Sequence, residues 1–383
     1  MAAFHQIGHD SENLLFEEGL EGFSGAILSP LNYGPADVAS QVAAARSREG
    51  FITIFDPHLY RPQSDRLHLP EWEYYPKDVA TADLSSERWW AAVIEKVAKT
   101  AVELGVSAVA SPAIVPKTFS DDFLAALAER GNLLERVLRG TTVKPFQTVI
   151  ANLADLTSAT KVMTIASIVS RSRASDCLLV LVSDVEPRRE LSDPEELKGA
   201  MHLIRTLETT GQHVTVSFCS SDMLLWKAAG ATNCASGKFF NLRRFTLSRF
   251  EEPSGGGGQL GYWMEESLLA FLRQSDLLRV QARDLLSDAS KSNPFSGPIL
   301  AAIPEKKAWV ASSWRHFLYW FADAERRIAS GELTAEEIVN SADSVWGTIE
   351  SSKPPLIMEE RQNDGAWVRQ WRRALAEFPY FAS

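Results

Sequence analysis

The sequence has few cysteines, no excess of positive charge and no long apolar run. Only three of its 383 residues are cysteine. Cys177, Cys219 and Cys234 lack the spacing of metal ligands, so we predict reduced, buried thiols. The 39 lysines and arginines are outnumbered by 49 aspartates and glutamates, and the net charge of −10 argues against a large nucleic-acid interface. No apolar segment reaches the roughly 18 residues of a membrane span, so we expect no contact with a membrane.

Several sequence signatures of catalysis are also absent. The chain has no Gly-x-Ser-x-Gly motif around a nucleophilic serine, and no phosphate-binding loop precedes Lys238. The histidines show no metal-binding spacing, so neither a catalytic metal nor another cofactor is expected. The first residues lack a basic stretch followed by an apolar one, so we expect no signal peptide and a cytoplasmic location.

Strand-like and helix-like segments alternate through most of the chain. Residues 177–182 (CLLVLV) are almost all apolar, as in an interior strand of a parallel sheet. Residues 85–104 have helical spacing and end at Gly105. This alternation recurs about seven or eight times in roughly 260 residues, and no glycine-rich dinucleotide fingerprint opens it. We therefore predict an α/β fold, a (β/α)8 TIM-like barrel with a C-terminal helical subdomain; an open parallel sheet is the alternative.

The barrel is predicted to occupy residues 1–289. Residues 1–25 look like an irregular lead-in, and the glycine run at 255–258 looks like a hinge or lid. Strands are predicted at 26–28, 51–55, 106–110, 146–151, 177–182 and 213–218, with a further short segment after Gly230. Helices are predicted at 35–48, 85–104, 120–138, 154–173, 193–210, 222–229 and 262–284.

Residues 290–383 are predicted to form the helical subdomain. Residues 290–298 (SKSNPFSGP) favour a linker, and helices are predicted at 307–330, 334–351 and 366–377. The last helix contains the sequence WVRQWRR. Its Trp367 and Trp371 predict a partner-binding surface, because tryptophan beside arginine is typical of interfaces; helix core is the alternative.

Four carboxylates follow predicted strands: Asp56, Asp184, Glu186 and Asp222. A barrel directs the ends of its parallel strands to one mouth, where paired carboxylates can act as general acid and base or hydrogen-bond a base-like ligand. The alternative for each is a helix cap or a salt bridge within a loop.

A cationic loop follows the last predicted strand. It contains Lys238, Arg243 and Arg244, with Arg249 a few residues later, and it predicts an anion-binding site for a phosphate or a carboxylate. The alternative is a basic surface that balances an acidic protein. Cys219, at a strand end, is the best thiol nucleophile, although a buried structural cysteine is the commoner use of such a residue.

The stretch VTVSFCSSDMLLWKAAGATNCASG, at 214–237, resembles the late barrel segment of tRNA-guanine transglycosylases. In that family a strand leads to a polar cap, an Asp-Leu-Leu helix and then Gly-hydrophobic-Asp, whose Asp is the nucleophile. The matching position here is Thr232. Asp56 and Tyr60 have the offset of the family's strand-end Asp and base-stacking aromatic residue. LVSDVE, which ends at Glu186, parallels the family's Gly-Leu-Ala-Val-Gly-Glu loop without its glycines.

The departures from that family are specific. The Asp-Ser-Gly-Gly signature and the cysteine-rich zinc site are absent, the nucleophile position is not acidic, and the low isoelectric point argues against tRNA as a ligand. The resemblance thus implies a barrel without base exchange on RNA that keeps a purine-shaped pocket. Such remodelled members occur in type IV CBASS anti-phage operons. The ligand implied is a 7-deazaguanine-type base carried by a partner, a CD-NTase-type nucleotidyltransferase.

Within this resemblance, Tyr60 is expected to stack on the base. The side chains of Asp56, Asn152, Asp184 and Glu186 are expected to hydrogen-bond its edges. Two other hypotheses stay open. One is an active hydrolase or lyase on a small polar substrate, with the strand-end carboxylates Asp56, Asp184 and Glu186 as the acid and base set and a clamp of two cations, Lys238 and Arg243, for an anion. The other is a structural scaffold.

Overall fold

Eight parallel strands close into a barrel in this protein. The structure is a computed structural model that describes residues 2–251, 260–358 and 364–380. Each strand pairs with its sequence neighbours, and the first pairs with the last. The predicted TIM-like barrel is confirmed. Its strands are β1 Ala2–Gln6, β2 Phe23–Leu28, β3 Ile52–Phe55, β4 Ala108–Ala110, β5 Lys144–Asn152, β6 Asp176–Val182, β7 His213–Ser217 and β8 Asn233–Ser236.

The first strand, β1, was not predicted, because residues 1–25 look irregular in the sequence. It lies between β2 and β8 and closes the barrel. Phe4 packs inside the barrel with Ile27 and Ile54, while His5 and Gln6 are fully buried polar residues. A strand that buries a histidine and a glutamine shows no apolar alternation, so only closure of the sheet around it reveals its role.

Six helices alternate with the strands from β2 onward, close to the predicted positions. They are α1 Pro35–Ala45, α2 Glu87–Leu104, α3 Asp121–Leu138, α4 Ala159–Val169, α5 Pro194–Thr209 and α6 Met223–Ala228. The side chains of Ser86, Ser120, Ser158 and Asp193 cap α2 to α5 by accepting backbone N–H groups. Helix α4 is shorter than predicted because a 3-10 turn precedes its Ser158 cap.

The segment after the barrel strands differs from its prediction. The predicted helix at 262–284 is wrong: an antiparallel hairpin, β9 Trp263–Glu265 and β10 Ala270–Leu272, precedes α7 Gln274–Gln281. The buried Glu265 carboxylate holds this hairpin by accepting hydrogen bonds from Trp263 Nε1 at 2.9 Å and Ser267 N at 3.0 Å. The predicted linker at 290–298 is also wrong, since it overlaps α8 Asp288–Ser292 and α9 Ser296–Ala302.

The three predicted C-terminal helices are present, as α10 Val310–Ala329, α11 Ala335–Ser351 and α12 Ala366–Glu377. Helix α10 takes the outer position beside β1, where the β1–β2 connection has only a 3-10 turn, and its Phe321 stacks on Phe23 at 6.5 Å. Helix α12 packs on α5. One continuous apolar core therefore runs from the barrel wall into these helices, and the division at residue 289 stays a prediction.

The tryptophans proposed as a partner surface are buried in this fold. Trp371 is fully buried and donates through Nε1 to Leu191 O at 2.6 Å. Trp367 is 6% exposed and meets Trp346 edge to face. The interpretation as a free surface is therefore wrong, because the apolar face of α12 turns these rings inward. Within the described ranges, no helix is long and apolar enough to cross a membrane.

Candidate functional site at the barrel mouth

Aromatic side chains close the centre of the barrel mouth. The chain after β8 turns back over the strand ends and inserts Phe245 and Phe250. Phe245 meets Tyr60 edge to face at 5.0 Å and Phe218 at 5.2 Å, and all four rings are at least 95% buried. We call these four rings, from Tyr60, Phe218, Phe245 and Phe250, the plug. Any ligand site on this face therefore lies around the plug.

Asp56 lies beneath the plug, where burial raises its pKa to about 6. Its carboxylate accepts the Tyr60 hydroxyl at 2.9 Å and the His58 backbone N–H at 3.1 Å, and the nearby positive charge of Arg249 favours its ionised form. Tyr60 thus has its hydroxyl bound and its ring packed. In this arrangement Tyr60 belongs to the plug, and its stacking on a base stays a prediction.

The other predicted base-binding residues do not converge on Asp56. Asn152 is half-buried at the end of β5, and Asp184 and Glu186 are exposed in the loop after β6. In the part of the chain that the structure describes, no hydrogen bond or ion pair joins any of these three residues to Asp56. Their positions after parallel strands correctly predict the face of the barrel on which these residues lie. Those positions do not predict whether the side chains converge on one site with Asp56.

A second acidic cluster is buried beside the plug, and its centre is Glu190. Arg244 Nη2 lies 3.7 Å from Glu190 Oε2 and 3.7 Å from Asp222 Oδ2. The hydroxyls of Ser220 and Ser221 donate to Glu190 Oε1 at 3.2 and 2.9 Å. We call these five residues the acidic cluster. It joins the loop after β6 to the strand end of β7 and the loop after β8.

The acidic cluster is incompletely satisfied. Burial, with the charge of Asp222, raises the pKa of Glu190 to about 7, against the favourable charge of Arg244. Burial also raises the pKa of Asp222. Glu190 Oε2 and Arg244 Nε and Nη2 have no hydrogen-bond partner among the described residues. Because buried polar atoms are usually paired, these open positions are typical of a site that takes a ligand.

An aromatic pocket of about 380 Å³ opens beside Glu190. Phe240 meets Tyr262 at 5.3 Å and Phe271 at 5.2 Å, both edge to face. Trp367 also lines the pocket, and its buried indole Nε1 lacks a hydrogen-bond partner within the described ranges. Two lining residues therefore carry buried polar atoms without a hydrogen bond in the described chain: the acceptor Glu190 Oε2, which lies 3.7 Å from Arg244 Nη2, and the donor Trp367 Nε1. We call this cavity the aromatic pocket. Its other lining residues are Arg188, Arg189, Ser192, Leu269, Ala270, Asp364 and Ala366.

The three cations predicted to bind an anion are used inside the protein. Lys238 donates to Asp10 O at 2.7 Å and lies over the Trp314 ring at 4.4 Å. Arg243 donates to two backbone carbonyls, and its guanidinium carbon lies 3.5 Å from the centre of the Phe317 ring; burial lowers its pKa to about 9. Arg244 belongs to the acidic cluster. Lys238, Arg243 and Arg244 therefore do not form one exposed anion-binding site.

Thr232, the position that matches the transglycosylase nucleophile, lies at the opposite end of the barrel. It precedes β8, and its hydroxyl donates to Glu208 Oε1 and Oε2 at 2.8 and 3.0 Å. Its amide donates to the same carboxylate at 2.7 Å. Thr232 therefore fastens the lower rim of the barrel and does not reach the mouth.

Two further sequence hypotheses concern the Cys219 thiol and the glycine run. Cys219 is buried, and burial raises the pKa of its thiol, which argues against a thiolate nucleophile. The glycine run at 255–258 lies outside the described residues. In the three described segments no group of histidine, cysteine and carboxylate side chains could hold a metal ion.

Comparisons with known proteins leave the family open. No family model matches the chain, and no curated protein does. Among solved structures, a mutant O-GlcNAc hydrolase of Thermobaculum terrenum is similar, with a TM-score of 0.36 and 13% identity. The match covers 99% of this chain and 82% of that one. A similarity of this size carries no argument about function.

Proposed function

We propose that this protein binds a small planar base in the aromatic pocket and that Glu190 accepts hydrogen bonds from the base's N–H groups. The observation that carries the proposal is that Glu190, whose Oε2 accepts no hydrogen bond among the described residues, lines a cavity together with Phe240, Tyr262 and Trp367. The volume of about 380 Å³ lies within the range of small-molecule sites.

The chemistry of a guanine-type base matches these walls. Such a base presents two neighbouring N–H donors on one edge, and an ionised carboxylate accepts both. The groups on the opposite edge of the base are hydrogen-bond acceptors, and they suit the Trp367 Nε1 donor, which has no partner within the described residues. Stacking on an aromatic ring is worth about 1–3 kcal/mol per base. Because Glu190 must be ionised to accept both donors, affinity is expected to rise as the pH increases through about 7.

A narrower form of this proposal is a 7-deazaguanine-type base presented by a CD-NTase-type partner in anti-phage defence. Its support is the resemblance of 214–237 to tRNA-guanine transglycosylases. Thr232 is neither acidic nor near the mouth. The proposal is therefore recognition without base exchange.

A second candidate function is acid–base catalysis on a small polar substrate by a hydrolase or lyase. It is favoured by the pairing of Glu190 and Asp222 around Arg244, since a carboxyl group with a pKa of about 7 can both give and take a proton. These residues replace the acid–base set predicted from the sequence.

Calorimetric titration with 7-cyano-7-deazaguanine (preQ0), with guanine as the second ligand, tests the proposal. Binding is expected at micromolar concentration, and Glu190→Gln and Trp367→Phe should weaken it. Phenylalanine keeps an aromatic ring but removes the Nε1 donor. Asp184→Asn is the matched control, because Asp184 is exposed and outside the pocket. Unchanged binding in Glu190→Gln would contradict the proposed site.

Product analysis separates the two candidate functions. Guanosine is incubated with the protein and analysed by liquid chromatography. Release of free guanine that Glu190→Gln abolishes would favour catalysis, whereas unaltered guanosine that binds with the same residue dependence favours recognition.

A further inference from the structure

A second cleft, of about 730 Å³, adjoins the aromatic pocket and is lined by an excess of positive charge. Three arginines line it: Arg66, Arg188 and Arg249. Its only carboxylate is the exposed Glu186, among the residues that the structure describes. This cationic concentration stands out in a protein with a net charge of −10. We call this cavity the basic cleft. Its other lining residues include His9, Asn32, Phe239, Asn241, Leu242 and Ser248.

Arg249 gives the basic cleft a fixed positive charge. Its Nη2 donates to Ser29 Oγ and Asn32 Oδ1, both at 3.1 Å, so the guanidinium is held at the tops of the strands. Burial lowers its pKa to about 10, and the charge of Asp56 opposes that change, so it stays cationic at neutral pH. Its Nη1 is buried and has no hydrogen-bond partner in the described chain. A buried arginine nitrogen left open in this way is a donor available to an anion.

Arg188 and Phe240 connect the basic cleft to the aromatic pocket. Both residues line both cavities, and the Arg188 guanidinium lies 5.9 Å from the Phe240 ring centre. Arg188 is exposed and forms no ion pair within the described residues. A molecule with its base beside Glu190 therefore reaches Arg188 with any group that extends past Phe240.

We propose that the basic cleft is an anion subsite that binds a phosphate attached to the base, so that the ligand class is a nucleoside monophosphate. This inference rests on the proposed base recognition and adds the second half of the ligand. Arginine suits the role because its planar fork donates two parallel hydrogen bonds to phosphate oxygens. An acidic peptide that carries the base would offer carboxylates to the same cleft, and the experiment below distinguishes that source.

The test is calorimetry with guanine, guanosine, guanosine monophosphate and inorganic phosphate on the full chain. The monophosphate is expected to bind about tenfold or more tightly than guanosine at low salt, and added salt should reduce the difference. Arg188→Ala should reduce this ratio of affinities to less than about threefold, and guanine affinity is measured in the same variant because Arg188 also lines the aromatic pocket. Arg173→Ala, an exposed arginine before β6 at the other end of the barrel, is the matched control and should change neither affinity.

The outcomes separate this inference from the proposed function. Equal affinity for guanosine and its monophosphate would overturn the anion subsite and leave base recognition standing. Inorganic phosphate that binds wild type but not Arg188→Ala, with no binding of guanine, would keep the subsite and reject base recognition. A base-linked acidic peptide that binds better than the monophosphate, with the same dependence on Arg188, would overturn the assignment of the anion as phosphate. Arg249→Lys, checked by thermal melting for folding, should also weaken phosphate binding.

Discussion

Replacing Glu190 by glutamine should remove part of the pH dependence of the free energy of unfolding. The pKa of Glu190 rises from 4.5 to about 7 because the side chain is buried beside Asp222. The folded protein therefore holds this proton more tightly than the unfolded chain does. The stabilisation is fully present below pH 4.5 and is lost as the pH rises through about 7. At about 1.4 kcal/mol per pKa unit, the loss is about 3 kcal/mol.

The assay is urea denaturation of wild type and Glu190→Gln at intervals from pH 5 to 8, with Asp184→Asn as the exposed control. The difference between the two curves reports Glu190 together with its coupling to Asp222, because the other groups titrate in both proteins. Asp56 changes stability in the same direction as Glu190, whereas His5 and His316, whose pKa values burial lowers, change it in the opposite direction. Relative to wild type, Glu190→Gln should gain stability as the pH rises. Parallel curves for the two proteins across this range would refute the burial argument.

Three further predictions test contacts elsewhere in the fold. Thr232→Val should lower the free energy of unfolding by about 0.5–1.5 kcal/mol, because it removes the hydroxyl donor to the half-buried Glu208 carboxylate, which keeps its backbone N–H donors, while base binding stays unchanged in calorimetry. Lys227→Met should cost about 3–5 kcal/mol in urea denaturation, because it leaves Glu325 buried and unpaired; the double variant with Glu325→Leu should recover most of that loss. Gly199→Ala should lower the melting temperature, since its Cβ would lie 1.8 Å from a backbone oxygen, whereas Gly347→Ala, with open space around it, should raise it slightly.

The predictable part of the fold is the part in which local pattern and tertiary environment agree. Strand β6 is apolar from Cys177 to Val182 because both faces of the strand are covered by the protein, so the local sequence alone predicts it. The sequence predicts a helix where the hairpin of β9 and β10 lies, because apolar residues in YWMEESLLAFL also fit helical spacing. What selects the hairpin is tertiary packing, such as the Trp263 ring against His316 at 4.3 Å.

The candidate site was predicted only in part, for the same reason. Asp222 and Arg244 were recognised from their positions after strands, but Glu190 follows two arginines in a segment that reads as exposed loop. Its burial depends on Arg244, more than fifty residues later, and no local pattern encodes that contact. Trp367 and Trp371 have the i,i+4 spacing of one helix face. That spacing does not say whether the face meets a partner or the protein's own core.

The central claim is that a planar base binds beside Glu190, and titration of preQ0 into wild type, Glu190→Gln and Asp184→Asn tests it most directly. A hydrogen bond to a charged group contributes about 1.5–3 kcal/mol, so the loss in Glu190→Gln should be at least about tenfold. The account predicts micromolar binding to wild type and to Asp184→Asn, with that weakening in Glu190→Gln. Absence of binding at millimolar ligand, or binding that Asp184→Asn abolishes and Glu190→Gln leaves intact, would contradict it.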